Sequence, residues 1–425
     1  MRWYRRFWCE DAGQTIPLLA LLLVAMLGMT GLVLDGGTLM DERRQVQNAA
    51  DAAAWAGAFR LQTAGAEAAR ADALNYAARQ GYNNDGATNT VEVSIPPASG
   101  SYQGRSGYVQ VTVRKNVELS FIQLVWLGAA NVAATATAGV EPSVGPYAII
   151  SLERSCSVTG LGTSGNNDRL RAINGGIMVN SCSPSAAMWT SGNGAVPTIY
   201  GHPIHVVGGW GGPPGAYSET PQQVPVPVAD PFSGFDPNYG GLGLPNRGPK
   251  DFSGNDEATL SPGVYDHIRI GGQARVTLNP GVYVIKGGDF KFSGQGSLTG
   301  QGVTIFLAGS FFPNNAGTFG ELKLTGQGTV NLTAPTSGPY AGLLFYQKTD
   351  GQIVDAQIAG NGNATHLSGS IYLPKADVTI TGNGSLTTIQ AQFIARTITG
   401  GGNSNLAVDL DKNLVRKVPR PALVE

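Results

Sequence analysis

The chain has 425 residues, a net charge of −1 and 13% charged residues, where an average soluble protein carries roughly a quarter. That balance excludes an electrostatic footprint for nucleic acid or for an anionic membrane surface, and the length exceeds one typical domain. Glycine supplies 60 residues, about twice the usual share, as expected of a mainly β body with many tight turns.

The N-terminal stretch 1–15 carries Arg2, Arg5 and Arg6 together with Trp3, Tyr4, Phe7 and Trp8. From Ile16 to Leu34 runs IPLLALLLVAMLGMTGLVL, 19 residues without a charge. At about 1.5 Å per residue it nearly matches a hydrocarbon core of roughly 30 Å. Lipid satisfies no backbone polar group, so this segment is predicted as a transmembrane helix. The arginines before it, with Asp35, Asp41 and Glu42 after it, predict a cytoplasmic N-terminus, and the aromatic residues fit an interfacial belt. A cleaved signal has a shorter apolar stretch and a small-residue cleavage site. Leu34-Asp35-Gly36-Gly37 offers none, so a retained single-pass anchor is expected. Asp35 is expected to be hydrated where the span leaves the bilayer.

Beyond the anchor, Thr38–Tyr82 contains no proline, and 15 of the 30 residues from Ala49 to Ala78 are alanine, the best helix former. Val46, Ala50, Ala53, Gly57 and Leu61 share one narrow helical face. The transmembrane helix is therefore expected to continue as a long stalk with a small-residue surface suited to close packing, ending at Gly81 and the polar run after Tyr82. Asp51 within it reads either as exposed charge or as a contact to a neighbouring subunit. TVEVSI (90–95), YVQVTVR (108–114) and NVAATATAGV (131–140) read as strands, and 119–128 as a short helix. Residues 35–142 thus make an Ala-rich helix plus a small α+β module, with 142–146 as its linker.

From 147 to 410 the texture changes to short β-branched runs between Gly and Asn turns. LSPGVY (260–265) and LNPGVY (278–283) repeat at an offset of 18, and G-x-G turns recur, as at Gly294–Gly296, Gly326–Gly328 and Gly400–Gly402. A period near 18–26 residues favours a parallel β-helix or solenoid, in which each coil buries its face on the next, over a β-sandwich. Residues 193–256, rich in Pro, Gly and aromatics, are expected as an irregular surface excursion, and 411–425 as a C-terminal tail.

The G-x-G turns lack the Lys-Ser/Thr of a phosphate loop and read as corner turns. His202 and His205 are close in sequence but have no evident acidic third ligand, and His267 and His366 stand alone, so no metal site is expected. Asp266, Arg269, Asp289, Lys291, Asp350, Asp355, Lys375 and Asp377 read as singly scattered, solvated charge. With no G-x-S-x-G elbow, no catalytic, cofactor-binding or metal residue is assigned, and no cofactor is expected. Cys9, on the cytoplasmic side, reads as an unpaired thiol in preference to a lipidation site. Cys156 and Cys182, the two cysteines beyond the membrane, are candidates for a structural disulfide.

The N-terminal motifs, Gly13-Gln14 before the apolar run, LVLDGG (32–37) at its end and RQVQNAADAAA (44–54) beyond, resemble the TadG-type (TadE-like) segment of the tight-adherence, or Flp, pilus assembly system. Phrases such as LTAPTSGPYAGLLFY (332–346) and GNGNATHLSGSIYLP (360–374) are similar, more loosely, to the C-terminal region of some TadG-related proteins. The resemblance implies an inner-membrane protein with a pilin-like module, its bulk in the periplasm, and pilus components as partners; it implies no activity. Pilins of the system carry Glu five residues after their cleavage glycine, whereas Leu18 follows Gly13 at that distance, which favours a permanent anchor. The expected role is a non-catalytic structural component. The alternatives are a membrane-tethered polysaccharide-binding adhesin using Trp189 and Trp210, and a polysaccharide-active β-helix enzyme with an acidic groove.

Overall fold

The computed structural model describes residues 15–121, 130–143, 145–165, 168–191, 197–233, 235, 237, 239–360, 365–382 and 386–424. The aromatic residues before the span, Cys9 and most of the expected helix at 119–128 lie outside them. The chain divides into two units, Met1–Ser143 with Pro419–Glu425, and Val144–Val418.

The first unit is built on one long helix, α1 (Thr15–Arg79). Its apolar start is stripped of protein neighbours: Leu18, Leu21, Met29 and Leu32 are each 65% or more exposed. The continuation is not a straight stalk. Gly65 leaves helical geometry at φ 81°, ψ 179°, a region essentially closed to residues with a Cβ, and the helix folds back on itself. Arg60 then meets Asp72 at 3.5 Å. Gly57 is the contact point: a Cβ there would stand 3.0 Å from Val109 Cγ1 and 3.3 Å from both Ala69 O and Ala73 Cβ.

Against this hairpin lie three antiparallel strands, β1 (Asn89–Ser94), β2 (Tyr108–Val117) and β3 (Ala130–Ser143), with Val91 opposite Val113 and Val111 opposite Ala136. Val46, Ala50, Ala53, Ala73 and Ala77 are buried against the valines of β1 and β2 and the alanines of β3. The small-residue face is thus consumed by the chain's own sheet, because alanine lets helix and sheet approach closely. Asp51 is half-buried and accepts from Gln47 Nε2 at 2.7 Å. The end of the chain is no tail: Val418–Leu423 forms the strand beside β3, and Val424 N donates to Thr137 O at 2.9 Å.

The second unit is a stack of short parallel strands. Leu260, Leu278, Gly300, Leu332, Leu367, Ile389 and Val408 stand in successive register, a buried column that joins one repeat to the next. The G-x-G turns at Gly294–Gly296 and Gly326–Gly328 stack backbone on backbone: a Cβ on Gly296 would lie 1.9 Å from Ala274 O, and one on Gly328 2.1 Å from Gly296 O. The first strands of the unit stack onto its last. Val408 pairs with Ala172 and Phe393 with Ile149, after which Ile177 pairs with Ile204.

That order requires a return path, and 224–245 supplies it. The expected excursion therefore resolves into stacked strands at Ile199–Tyr200, Ile204–Val206 and Asn246–Phe252 and a strap between them. The strap crosses the outer face of the sheet, where Phe232, Val228, Phe235 and Leu244 pack on Met178, Ile394, Tyr372, Tyr346 and Val284. Its backbone is held by side chains: Asn180 makes two 2.9 Å bonds to Val228, and the Tyr346 hydroxyl donates to Phe235 O at 3.0 Å.

Candidate functional site

Two regions carry groups beyond what packing alone requires: the exit of the apolar helix and the outer faces of the stacked sheet.

At the helix exit, Asp35 closes the apolar run but is not hydrated there. It is 4% exposed, and its two oxygens accept Ser120 N and Phe121 N, each at 3.0 Å. One turn earlier the absence of a side chain at Gly31 admits Phe121, whose Cβ lies 2.6 Å from where a Cβ at 31 would be. Further out, Lys115 Nζ holds both oxygens of Glu42 at 2.7 Å. Two clasps thus fix the sheet module to the helix directly beyond its apolar segment.

In the second unit Cys156 and Cys182 are bonded, with Cα atoms 4.3 Å apart. They join the segments after Tyr147–Ser151 and Gly176–Val179, strands already paired through Ile149 and Ile177. His202 Nδ1 lies 2.5 Å from Glu219 and His267 Nε2 lies 2.8 Å from Asp251. Among the described residues no group of three or more His, Cys, Asp or Glu is placed to hold a metal ion.

Five of the eight charges read as scattered are instead aligned; Asp266, Asp350 and Lys375 stand outside the rows. Arg269, Lys291 and Lys323 occupy successive register positions on one outer face. Two residues before each lysine, immediately ahead of its strand, stand Asp289 and Glu321. The next strands place Asp355 beside Asp377. Glu321 N donates to Asp289 Oδ1 at 3.0 Å, and Arg269 Nη2 pairs with Asp289 at 2.7 Å. Burial works against ionisation of Asp289, but the Glu321 N–H and the Arg269 guanidinium prevail and hold it below the usual carboxylate range. Arg396 bridges Asp377, at 2.6 Å, and Glu153. The middle of this face is a shallow depression of about 370 Å³ lined by Glu321, Lys323, Asp355, Gln357 and Thr379. It carries no aromatic platform.

The strap hides a different carboxyl. Asp230 accepts the Tyr372 hydroxyl at 2.5 Å and Phe232 N at 2.9 Å. Burial pushes it up, against the lowering effect of both bonds and of Arg154. Phe232 stacks on Tyr372 at 4.5 Å between ring centroids. Glycoside hydrolysis needs two carboxyls of opposed proton affinity flanking one substrate. Asp230, the one carboxyl raised by its surroundings among the described residues, lies beneath the strap rather than in the aligned row. Trp189 and Trp210 are 42% and 37% exposed on adjacent paired strands.

Residues 13–73 match the family model described as Flp pilus-assembly TadE/G-like. The match covers the apolar helix, Gly31, Asp35 and the turn at Gly65. No curated protein and no solved structure matches the chain. Among the described residues one helix is long and apolar enough to cross a membrane, and with the family match it supports a membrane-anchored protein with a role in Flp/Tad pilus assembly.

Proposed function

We propose that the protein is a non-catalytic structural component of Flp/Tad-type pilus assembly, held in the bacterial inner membrane with its N-terminus in the cytoplasm and both folded units in the periplasm. The observation that carries this reading is the coincidence of the TadE/G-like segment, 13–73, with a helix whose first half is bare apolar surface and whose second half is clasped to a small sheet. The sheet module is pilin-like, and α1 anchors it. We read the stacked parallel strands of the second unit as a β-solenoid displayed on that anchor, bounded near 147 and 410. The bonded Cys156–Cys182 pair is consistent with an oxidising compartment. Other components of the assembly system, or pilus subunits, are the partners this reading requires.

A clean deletion of the gene tests it. Surface pili and adhesion are lost, and are restored by the full chain but not by a chain lacking 15–34. Unchanged piliation in the deletion refutes the reading. Alkylation of the cysteines in intact cells tests the orientation, since a reduced and reactive Cys182 would place the second unit in the cytoplasm.

A second reading, glycan binding, is favoured by the exposed neighbours Trp189 and Trp210, because amphipathic aromatic faces suit sugar rings. It predicts binding to envelope polysaccharide that Trp210→Ala removes.

A further inference from the structure

On the strands Phe290–Phe292, Leu322–Leu324 and Val354–Gly360 the side chains alternate. Phe290, Leu322 and Ala356 point into the core, and their neighbours point outward as two stripes across the sheet. One stripe is basic: Arg269, Lys291 and Lys323. The other, two residues earlier and at the mouth of the lysine-bearing strands, is acidic: Asp289 and Glu321, continued by Asp355 and Asp377. Parallel strands lie about 4.8 Å apart, and like charges at that spacing repel.

At its ends the chain relieves this repulsion itself, through Arg269–Asp289 at 2.7 Å and Arg396–Asp377 at 2.6 Å. In the middle it does not. Lys291, Lys323, Glu321 and Asp355 have no ion-pair partner among the described residues, and Glu321 and Asp355 are exposed. The lysines repel each other along one stripe and Glu321 repels Asp355 along the other; a complex that brings the opposite stripe gives each lysine a carboxylate in contact, while Asp355 faces Gln357.

We propose that this face docks a second copy of the same chain. The two stripes lie side by side on the same strands, so a two-fold axis parallel to them and midway between them lays the acidic stripe of each copy over the basic stripe of the other. Each strand then faces its own equivalent. Lys323 meets Glu321 of the second copy, Lys291 meets its Asp289, and both contacts occur twice, as an isologous interface demands. A polysaccharide fits less well, because the lining offers no ring for stacking. The interface is polar and narrow, so the association is weak and salt-sensitive.

The full-length protein in detergent micelles, mixed as unlabelled and ¹⁵N-labelled halves, is treated with a carbodiimide, which joins lysine to carboxylate only in contact. The expected products are mixed-isotope links between Lys323 and Glu321 and between Lys291 and Asp289, lost in molar salt. Sedimentation follows two variants whose unchanged circular dichroism shows that they fold. Lys291→Glu with Lys323→Glu makes the middle of the face acidic, and Glu321→Lys with Asp355→Lys makes it basic. Each alone weakens dimerisation at least about tenfold, and an equimolar mixture of the two restores it. Links confined to single-isotope peptides, or dimer mass unchanged in both variants, overturn the proposal.

Discussion

The Asp35 carboxylate accepts the backbone N–H of Phe121 at 3.0 Å, although 86 residues separate the two. Asp35 is therefore both the residue that ends the apolar span and the residue that receives the loop after β2. The same carboxylate thus closes the apolar run and fixes the sheet module to the helix at that point.

Asp35→Ala leaves the N–H groups of Ser120 and Phe121 without this acceptor in a part-buried position, at about 0.5–1.5 kcal/mol each. Urea unfolding of the micelle-bound protein should show a loss of about 1–3 kcal/mol in the first unit, and protease should cut near 120 sooner. Asp35→Asn, which retains one good acceptor, falls between. Wild-type stability in Asp35→Ala would show that the loop is held by other contacts.

Gly65 makes a prediction of opposite character, since nothing crowds it: a Cβ there meets no atom within 4 Å. The constraint is conformational, φ 81° with ψ 179°, and Gly65→Ala should cost about 1–3 kcal/mol. In an Ala-rich sequence the relieved conformation is continuous helix. A spin-label pair at 60 and 72, close in the hairpin, should therefore separate in the variant. A distance that stays put would show that the fold-back is enforced by packing at Gly57 instead.

The strap gives a packing test. Phe232 is 1% exposed and stacks on Tyr372, so Phe232→Ala should cost about 3–5 kcal/mol. Because the strap lies over a sheet that is otherwise complete, the loss should appear first as cleavage within 224–245 while the stacked strands remain protected from hydrogen exchange. Simultaneous exposure of both would mean that strap and stack form one cooperative unit.

These sites differ in how far the sequence discloses them. The apolar span is legible because nineteen uncharged residues have few other fates, and the G-x-G turns at Gly294–Gly296 and Gly326–Gly328 because a stacked backbone leaves no room for a Cβ there. The fold-back at Gly65 is not, since one glycine in an Ala-rich run also fits an unbroken helix at a cost of about 1 kcal/mol. The charge stripes are hidden by unequal repeats: Lys291 and Lys323 align only when the loop carrying Phe311 and Phe312 is counted out, and spacing alone does not say which residues to omit. The strand Val418–Leu423 contains Pro419 and Pro421, which argue against a central strand; they are tolerated because it is the last in its sheet.

Asp230 and Asp289 should respond to pH in opposite senses. Burial raises the Asp230 pKa in the folded protein, so its native state holds the proton more tightly than the unfolded chain does. Its contribution is fully present below the unfolded value and is lost as pH rises through the folded one. Asp289 is held low by the Glu321 N–H and Arg269; its contribution is present above the unfolded value and is lost as pH falls through the folded one. Asp230→Asn, which keeps an acceptor for the Tyr372 hydroxyl without the buried charge, should gain in Tm relative to wild type from acid to neutral pH. Asp289→Asn should lose relative to wild type over the same range. Thermal melts of both variants between pH 3 and pH 7 decide it: curves that run parallel to wild type for Asp230→Asn would mean that water reaches the carboxyl beneath the strap and that burial does not govern it.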